Sequence, residues 1–244
     1  QVQPVSTAFE RAEQAGVSAT VVSAPAFKAS GLTRAALRGA QYLRAFTAAD
    51  SAIQVAATAR ARRGLIYCYT PDLDLIGHVY GCRSEAWRVQ LQLIDQGAQL
   101  LADRLPAGAR LLVTADHGMV DVPEDAKIDY DSEPALSDGI ELLAGEGRVR
   151  YLHAAPGELE AVRSRWLDVV GDRMAVLTRD EAIDLGWFGP DVSAPARHRI
   201  GDLIAVSTSE LAVVRRKAES RNASLIGHHG ALTDAELLVP LLST

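Results

Sequence analysis

Two continuous apolar runs, residues 65–69 (LIYCY) and 110–115 (RLLVTA), restrict this chain more than any other feature. Each has the length of a strand, and LIYCY, which lacks the alternation of a half-solvated one, is expected to be buried on both faces of a sheet. Between them, in residues 85–105, Trp87, Leu91, Ile94, Ala98, Leu101 and Leu105 recur at steps of four and three and make one apolar helical stripe. Pro106 and Gly108 end that helix. Strand, helix and strand form a βαβ unit, whose right-handed crossover lays the two strands parallel and sends their carboxyl ends to one edge. Ligands of open α/β sheets bind outside that edge. The segments that follow the two runs are therefore expected side by side.

The flanking sequence extends this pattern. Residues 6–16 read as a helix with a Ser or Thr cap and a terminal Gly, and residues 17–23 (VSATVVS) as a β-branched strand. The Ala-rich stretch 28–63 reads as one short helix and one longer one. Later, candidate strands at 148–153, 174–178 and 202–207 are less regularly spaced by helices, with a helix at 157–170 and a Gly/Pro-rich loop at 186–195. The expected fold class is α/β: a mainly parallel sheet with helices on both faces, carrying a small α+β insertion. The expected organisation is a core over 1–145, an insertion or cap over 146–216 and a return to the core over 217–244. In the last part Thr233-x-x-Glu236 reads as a capping box before an apolar run broken by Pro240.

Composition excludes several classes. With 48% hydrophobic and 23% charged residues, the chain is neither a disordered tail nor a fibre. A formal charge of −6 repels a nucleic-acid backbone, so no nucleic-acid polymer is expected as a partner. An anionic substrate would then need a local cationic site, for which bound metal is the natural source. The longest apolar stretches fall far short of the roughly 20 residues that span a bilayer, so no transmembrane segment is expected. Residues 1–10 do not read as a signal peptide, and no Met begins the chain. A natural start upstream of Gln1 is therefore expected. Two cysteines make no disulfide framework. Cys68 is expected in the core, Cys82 in a loop, and the compartment is expected to be cytoplasmic.

The histidines, six in all, give the chemistry. Asp74 and His78 lie in PDLDLIGH directly after the first run, and Asp116 and His117 lie in TADHG directly after the second. Carboxylate oxygen with neutral imidazole suits Zn²⁺ or Mn²⁺. A Gly before His78 and another after His117 are expected to permit sharp turns that let the side chains converge. A third histidine held between glycines occurs in Gly227-His228-His229-Gly230. Adjacent side chains diverge, so His228 and His229 do not both bind one ion. His153 in a strand and His198 in an Arg-flanked loop read as structural or solvated, and Trp187 and Phe188 as an apolar plug.

Together, strand-PDLDLIGH, strand-TADHGMVDV and the late HHGALTDAELLVPLL resemble the type I phosphodiesterase and nucleotide pyrophosphatase branch of the alkaline phosphatase superfamily. The resemblance covers about Leu65 to the end of the chain and implies an alkaline-phosphatase-like fold. It implies two divalent ions, Zn²⁺ with Mn²⁺ as the alternative, with Asp74, His78 and His229 on one and Asp116 and His117 on the other. His229 is chosen because it directly precedes Gly230, with His228 behind it. It further implies hydrolysis of a small phosphodiester or nucleotide pyrophosphate through a covalent Thr intermediate. The family's VDG and PxxTxP-like motifs are not found here, and Thr7, Thr20, Thr33 and Thr47 do not sit in such a setting. The nucleophile is therefore expected in a missing N-terminal segment, which would also supply a central strand. A phosphonate or phosphomonoester hydrolase of the same superfamily, and a non-catalytic metal-binding fragment, are the alternatives. A Rossmann-like nucleotide binder is disfavoured, since neither GxGxxG nor GxxxxGK[ST] occurs.

Overall fold

The computed structural model describes residues 3–244; Gln1 and Val2, with the expectation attached to the start of the chain, lie outside the described residues. The chain divides into two compact units. The first comprises residues 1–75, 88–114 and 241–244, and the second residues 76–87 and 115–240. The chain passes from the first to the second within the helix Asp72–Tyr80.

The first unit holds a parallel three-stranded sheet of β1 (Ser18–Ser23), β2 (Gln41–Arg44) and β3 (Gly64–Cys68) in the order β2-β1-β3. β1 is central and buried from Ala19 to Ser23, as its β-branched composition requires. Helix Ala8–Gln14 opens on the capping box of Thr7 and Glu10, and its Phe9 packs on Ala19 and Val21. Helix Ala48–Ala61, capped by Thr47, places Val55 against Val22 and Ala45 on the sheet. β2 was not expected. Its four residues sit in an Ala-rich stretch without a strand pattern, and the parallel register with β1 makes it a strand.

Two expectations fail in this unit. β3 is not buried on both faces: Leu65 and Tyr67 are 44% and 40% exposed, and Cys68 is exposed rather than a core residue. Nor do the two apolar runs share a sheet. The second run forms β4 (Leu112–Thr114), which pairs antiparallel with β13 (Leu241–Ser243), while β3 pairs with β1. The intervening helix, Glu85–Ala102, has no buried residue, although Leu101, with Leu105 just beyond it, packs on the Val22 cluster.

The second unit is built on an antiparallel sheet, β7-β8-β10-β9, of β7 (Ile140–Glu146), β8 (Val149–Ala154), β9 (Met174–Thr178) and β10 (Leu203–Ser207). β8, β9 and β10 match the expected strands. Helix Leu159–Val170 covers one face with Val162, Trp166 and Val170, which join Leu152, Met174 and Leu203 in the main core. The buried Trp166 indole donates to the Leu136 carbonyl at 3.0 Å, so its one polar atom is satisfied. Trp187 and Phe188 pack against Ile200, Ile204 and Ala182, which is the apolar plug expected of them. Two two-stranded sheets complete the unit. β6 (Lys127–Asp129) lies parallel to β11 (Ala212–Val214), and β5 (Val120–Asp121) lies antiparallel to β12 (Gly227–His228).

Candidate functional site

The site residues of the second unit are assembled by backbone contacts among three segments, one of them the end of the helix Asp72–Tyr80. Asp121 pairs with Gly227 and Val120 with His228 across β5 and β12. The Ile226 amide donates to the His78 carbonyl at 2.8 Å, and the Gly118 amide donates to the Glu236 carbonyl at 2.8 Å. These bonds tie the His78, His117 and His229 segments together although they lie far apart in sequence.

The imidazoles converge as a result. His117 stacks on His229 with ring centroids 3.7 Å apart and planes inclined by 23°, and the His78 ring lies 5.1 Å from His229. Ring nitrogens of His117 and His229 lie within 4.8 Å of one another. Nδ1 of His78 is 2.8 Å from the Gly227 carbonyl, and Nδ1 of His117 is 2.8 Å from that of Gly118. A carbonyl oxygen only accepts, so Nδ1 is the donor in each contact, which leaves Nε2 to carry the lone pair whenever the ring is neutral. This is the tautomer of a metal-binding imidazole oriented by a backbone carbonyl. The Asp116 carboxylate lies 3.8 Å from His117 Nε2 and is largely exposed. Asp74 belongs to the first unit and stands four residues before His78 in the sequence of the helix Asp72–Tyr80.

His228 takes the opposite course. Its side chain is buried, and Nε2 lies 3.1 Å from the Leu225 carbonyl. Burial lowers its pKa to about 4, which keeps it neutral at pH 7. The tandem histidines diverge as expected, with His229 stacked among the imidazoles and His228 in the interior. His153 lies in β8 opposite Leu142, and His198 closes the short helix Ala194–Arg197.

The glycines act differently from expectation. Gly77 and Gly118 do not have positive φ, and close approach explains them instead. A Cβ on Gly227 would lie 2.4 Å from the Gly77 carbonyl oxygen, and one on Gly118 would lie 2.0 Å from that of Ala235. Of the four glycines beside the histidines, Gly77, Gly118, Gly227 and Gly230, only Gly230, with φ 111°, has a positive φ.

One group escaped the sequence reading. Arg148 and Glu236 form a fully buried bidentate ion pair, Nε to Oε1 at 3.0 Å and Nη2 to Oε2 at 2.7 Å. Burial pushes the Glu236 carboxyl up, but hydrogen bonds from Arg148, Thr233 and the Ala231 amide outweigh it and hold the pKa below the usual carboxylate range. The expected capping box is therefore replaced. Thr233 precedes the helix Asp234–Leu237 without a side-chain cap, and its hydroxyl donates to Glu236 at 2.5 Å. A buried arginine in the turn that leads into β8, at the head of RVRYLH, leaves no signal in composition or periodicity.

The model of the type I phosphodiesterase / nucleotide pyrophosphatase family matches residues 7–232. Among solved structures, murine ectonucleotide pyrophosphatase / phosphodiesterase 5 aligns with a TM-score of 0.72 at 16% identity, over 96% of this chain and 62% of that one. The human protein of the same name aligns at 0.69 and 17% identity, again over 96% and 62%. Phosphonoacetate hydrolase from Sinorhizobium meliloti aligns at 0.62 and 19% identity, over 97% and 67%. The chain thus spans about 62% of the length of the first two. A sequence search of curated proteins finds no match. These likenesses establish an α/β fold like that of ectonucleotide pyrophosphatase / phosphodiesterase 5 and phosphonoacetate hydrolase.

Proposed function

Because this chain belongs to the type I phosphodiesterase / nucleotide pyrophosphatase family, we propose that the protein is a metal-dependent hydrolase of small phosphodiesters or nucleotide pyrophosphates. The observation that carries the reading is the convergence of His78, His117 and His229, with the Nδ1 protons of His78 and His117 held by carbonyls. Two divalent ions, Zn²⁺ or Mn²⁺, fit this donor set, since neutral imidazole with carboxylate favours a borderline ion over a hard one. In this reading Asp74, His78 and His229 hold one ion, and Asp116 and His117 hold the other. When bound, such ions polarise phosphoryl oxygens and stabilise charge on the leaving oxygen.

The chain's own residues then set the geometry. Gly118 and Gly227 let neighbouring backbones approach, and two carbonyls fix the ligating tautomers of His78 and His117. The covalent Thr intermediate belongs to the same proposal, with the nucleophile supplied by the protein outside these 244 residues. In support, Thr7, Thr20, Thr33 and Thr47 already have structural tasks. Thr7 and Thr47 cap helices, Thr33 bonds the Ser30 cap, and Thr20 is buried in β1 beside Arg62.

The test is hydrolysis by the full-length protein of bis(p-nitrophenyl) phosphate, p-nitrophenyl phosphate and a phosphonate. Faster turnover of the diester is expected, abolished by chelator and restored by Zn²⁺ or Mn²⁺ but not by low Mg²⁺. Loss of bound metal in His229→Ala is also expected. Negligible diesterase activity beside rapid monoester or phosphonate cleavage would overturn the substrate class.

A further inference from the structure

We propose that Glu236, clamped by Arg148, is a positioning residue that sets His117 and His229 against each other. The inference rests on the metal-site reading above and adds the group that holds the site's shape. Glu236 meets both histidine loops at once. Its Oε1 accepts the Ala231 amide at 3.0 Å, two residues beyond His229, and its backbone carbonyl accepts the Gly118 amide at 2.8 Å, one residue beyond His117. The two imidazoles so tethered are the pair stacked at 3.7 Å.

A carbonyl can serve as a fixed anchor only if its own residue is fixed. The buried side chain of Glu236 supplies this: Arg148 grips both oxygens, and the Thr233 hydroxyl closes the loop between Ala231 and the carboxylate. Arg148 is immobilised in turn. Its Nη1 donates to the Leu211 carbonyl at 2.9 Å and to that of Ser209, which anchors it to the segment between β10 and β11. The guanidinium and the carboxylate are both fully buried. A buried pair of this kind contributes little net stability compared with packed apolar residues of similar volume, which leaves it a geometric role rather than a stabilising one. Fixing a loop to within a few tenths of an ångström is such a role, because ligand geometry depends on it.

The test compares full-length wild-type protein with the double variant Arg148→Met/Glu236→Leu, which removes both charges and keeps the volume, and with Glu236→Gln, which keeps an oxygen for the Ala231 amide. Two measurements are made: Zn²⁺ affinity by competition with a chromophoric chelator, and imidazole signals in metal-free long-range ¹H–¹⁵N spectra. The double variant is expected to fold, with its thermal midpoint within a few degrees of wild type, while Zn²⁺ binding weakens by roughly 10–100-fold. The His117 and His229 signals are expected to move and those of His153 and His198 to stay. Glu236→Gln is expected to fall between the two. A folded double variant with unchanged His117 and His229 signals overturns the positioning role, whatever the metal result. If those signals move while wild type binds Zn²⁺ no better than His229→Ala, positioning stands and the metal reading falls.

Discussion

At Gly118 an added methyl group would stand 2.0 Å from the Ala235 carbonyl oxygen, and at Gly227 it would stand 2.4 Å from that of Gly77. Both obstacles are backbone, and neither can yield without moving a histidine loop. At Gly77 the nearest atom is instead the Met119 sulfur at 2.6 Å, the end of a flexible side chain. Alanine there also gains about 1 kcal/mol of helix propensity within Asp72–Tyr80. Gly118→Ala and Gly227→Ala should therefore each cost about 1–3 kcal/mol or more by overpacking, and Gly77→Ala should be near neutral. Urea unfolding of the three variants checks this order; a Gly77→Ala as unstable as Gly227→Ala would contradict it. The sequence shows that glycines flank the histidines. It does not show why, because turn freedom and close approach require the same residue, and the distinction lies in a neighbour distant along the chain.

Among the elements, the short parallel pair β6 and β11 depends on a charged turn. The Asp131 carboxylate accepts the Lys217 amide at 2.8 Å and the Ala218 amide at 3.4 Å, and lies 3.4 Å from Arg215 Nε. Burial works to raise its pKa, but the two amides and Arg215 outweigh it and hold the carboxyl below its usual value. Its folded pKa lies below its unfolded one. The stability it contributes is thus fully present above about pH 4 and lost as pH falls through the folded value. Asp131→Asn should be about 1–3 kcal/mol less stable than wild type at pH 7, with the gap narrowing below pH 4. Urea midpoints of both proteins from pH 7 to pH 3 measure it; a gap constant with pH would remove the charge from the explanation. Such turns leave little trace in sequence, whereas β1, β8, β9 and β10 were legible because each is an apolar or β-branched run of strand length. β2 was not, since its four residues owe their conformation to β1. The run at 65–69 was read as a strand correctly, but its burial was not: apolarity records what a surface can pack against, and Leu65 and Tyr67 remain 44% and 40% exposed.

At the scale of the whole molecule, the acidic and histidine pairs follow β3 and β4 in sequence, but those strands do not bring them together. Strand adjacency was expected to unite them, yet β3 and β4 lie in different sheets, and His78, His117 and His229 meet through loop contacts within the second unit. That placement gives a test of metal binding that needs no substrate. All three tryptophans, Trp87, Trp166 and Trp187, belong to the second unit, so tryptophan fluorescence reports its unfolding selectively. Zn²⁺ at 100 times its dissociation constant adds about 2.7 kcal/mol to the state that binds it. For a protein of this size that corresponds to a rise of about 5–10 °C in the fluorescence midpoint relative to protein in chelator. The shift should vanish in His229→Ala and persist in His198→Ala, whose side chain lies outside the imidazole cluster. An equal shift in all three proteins would place the ion elsewhere and leave the −6 charge of the chain without the cationic site that an anionic substrate requires.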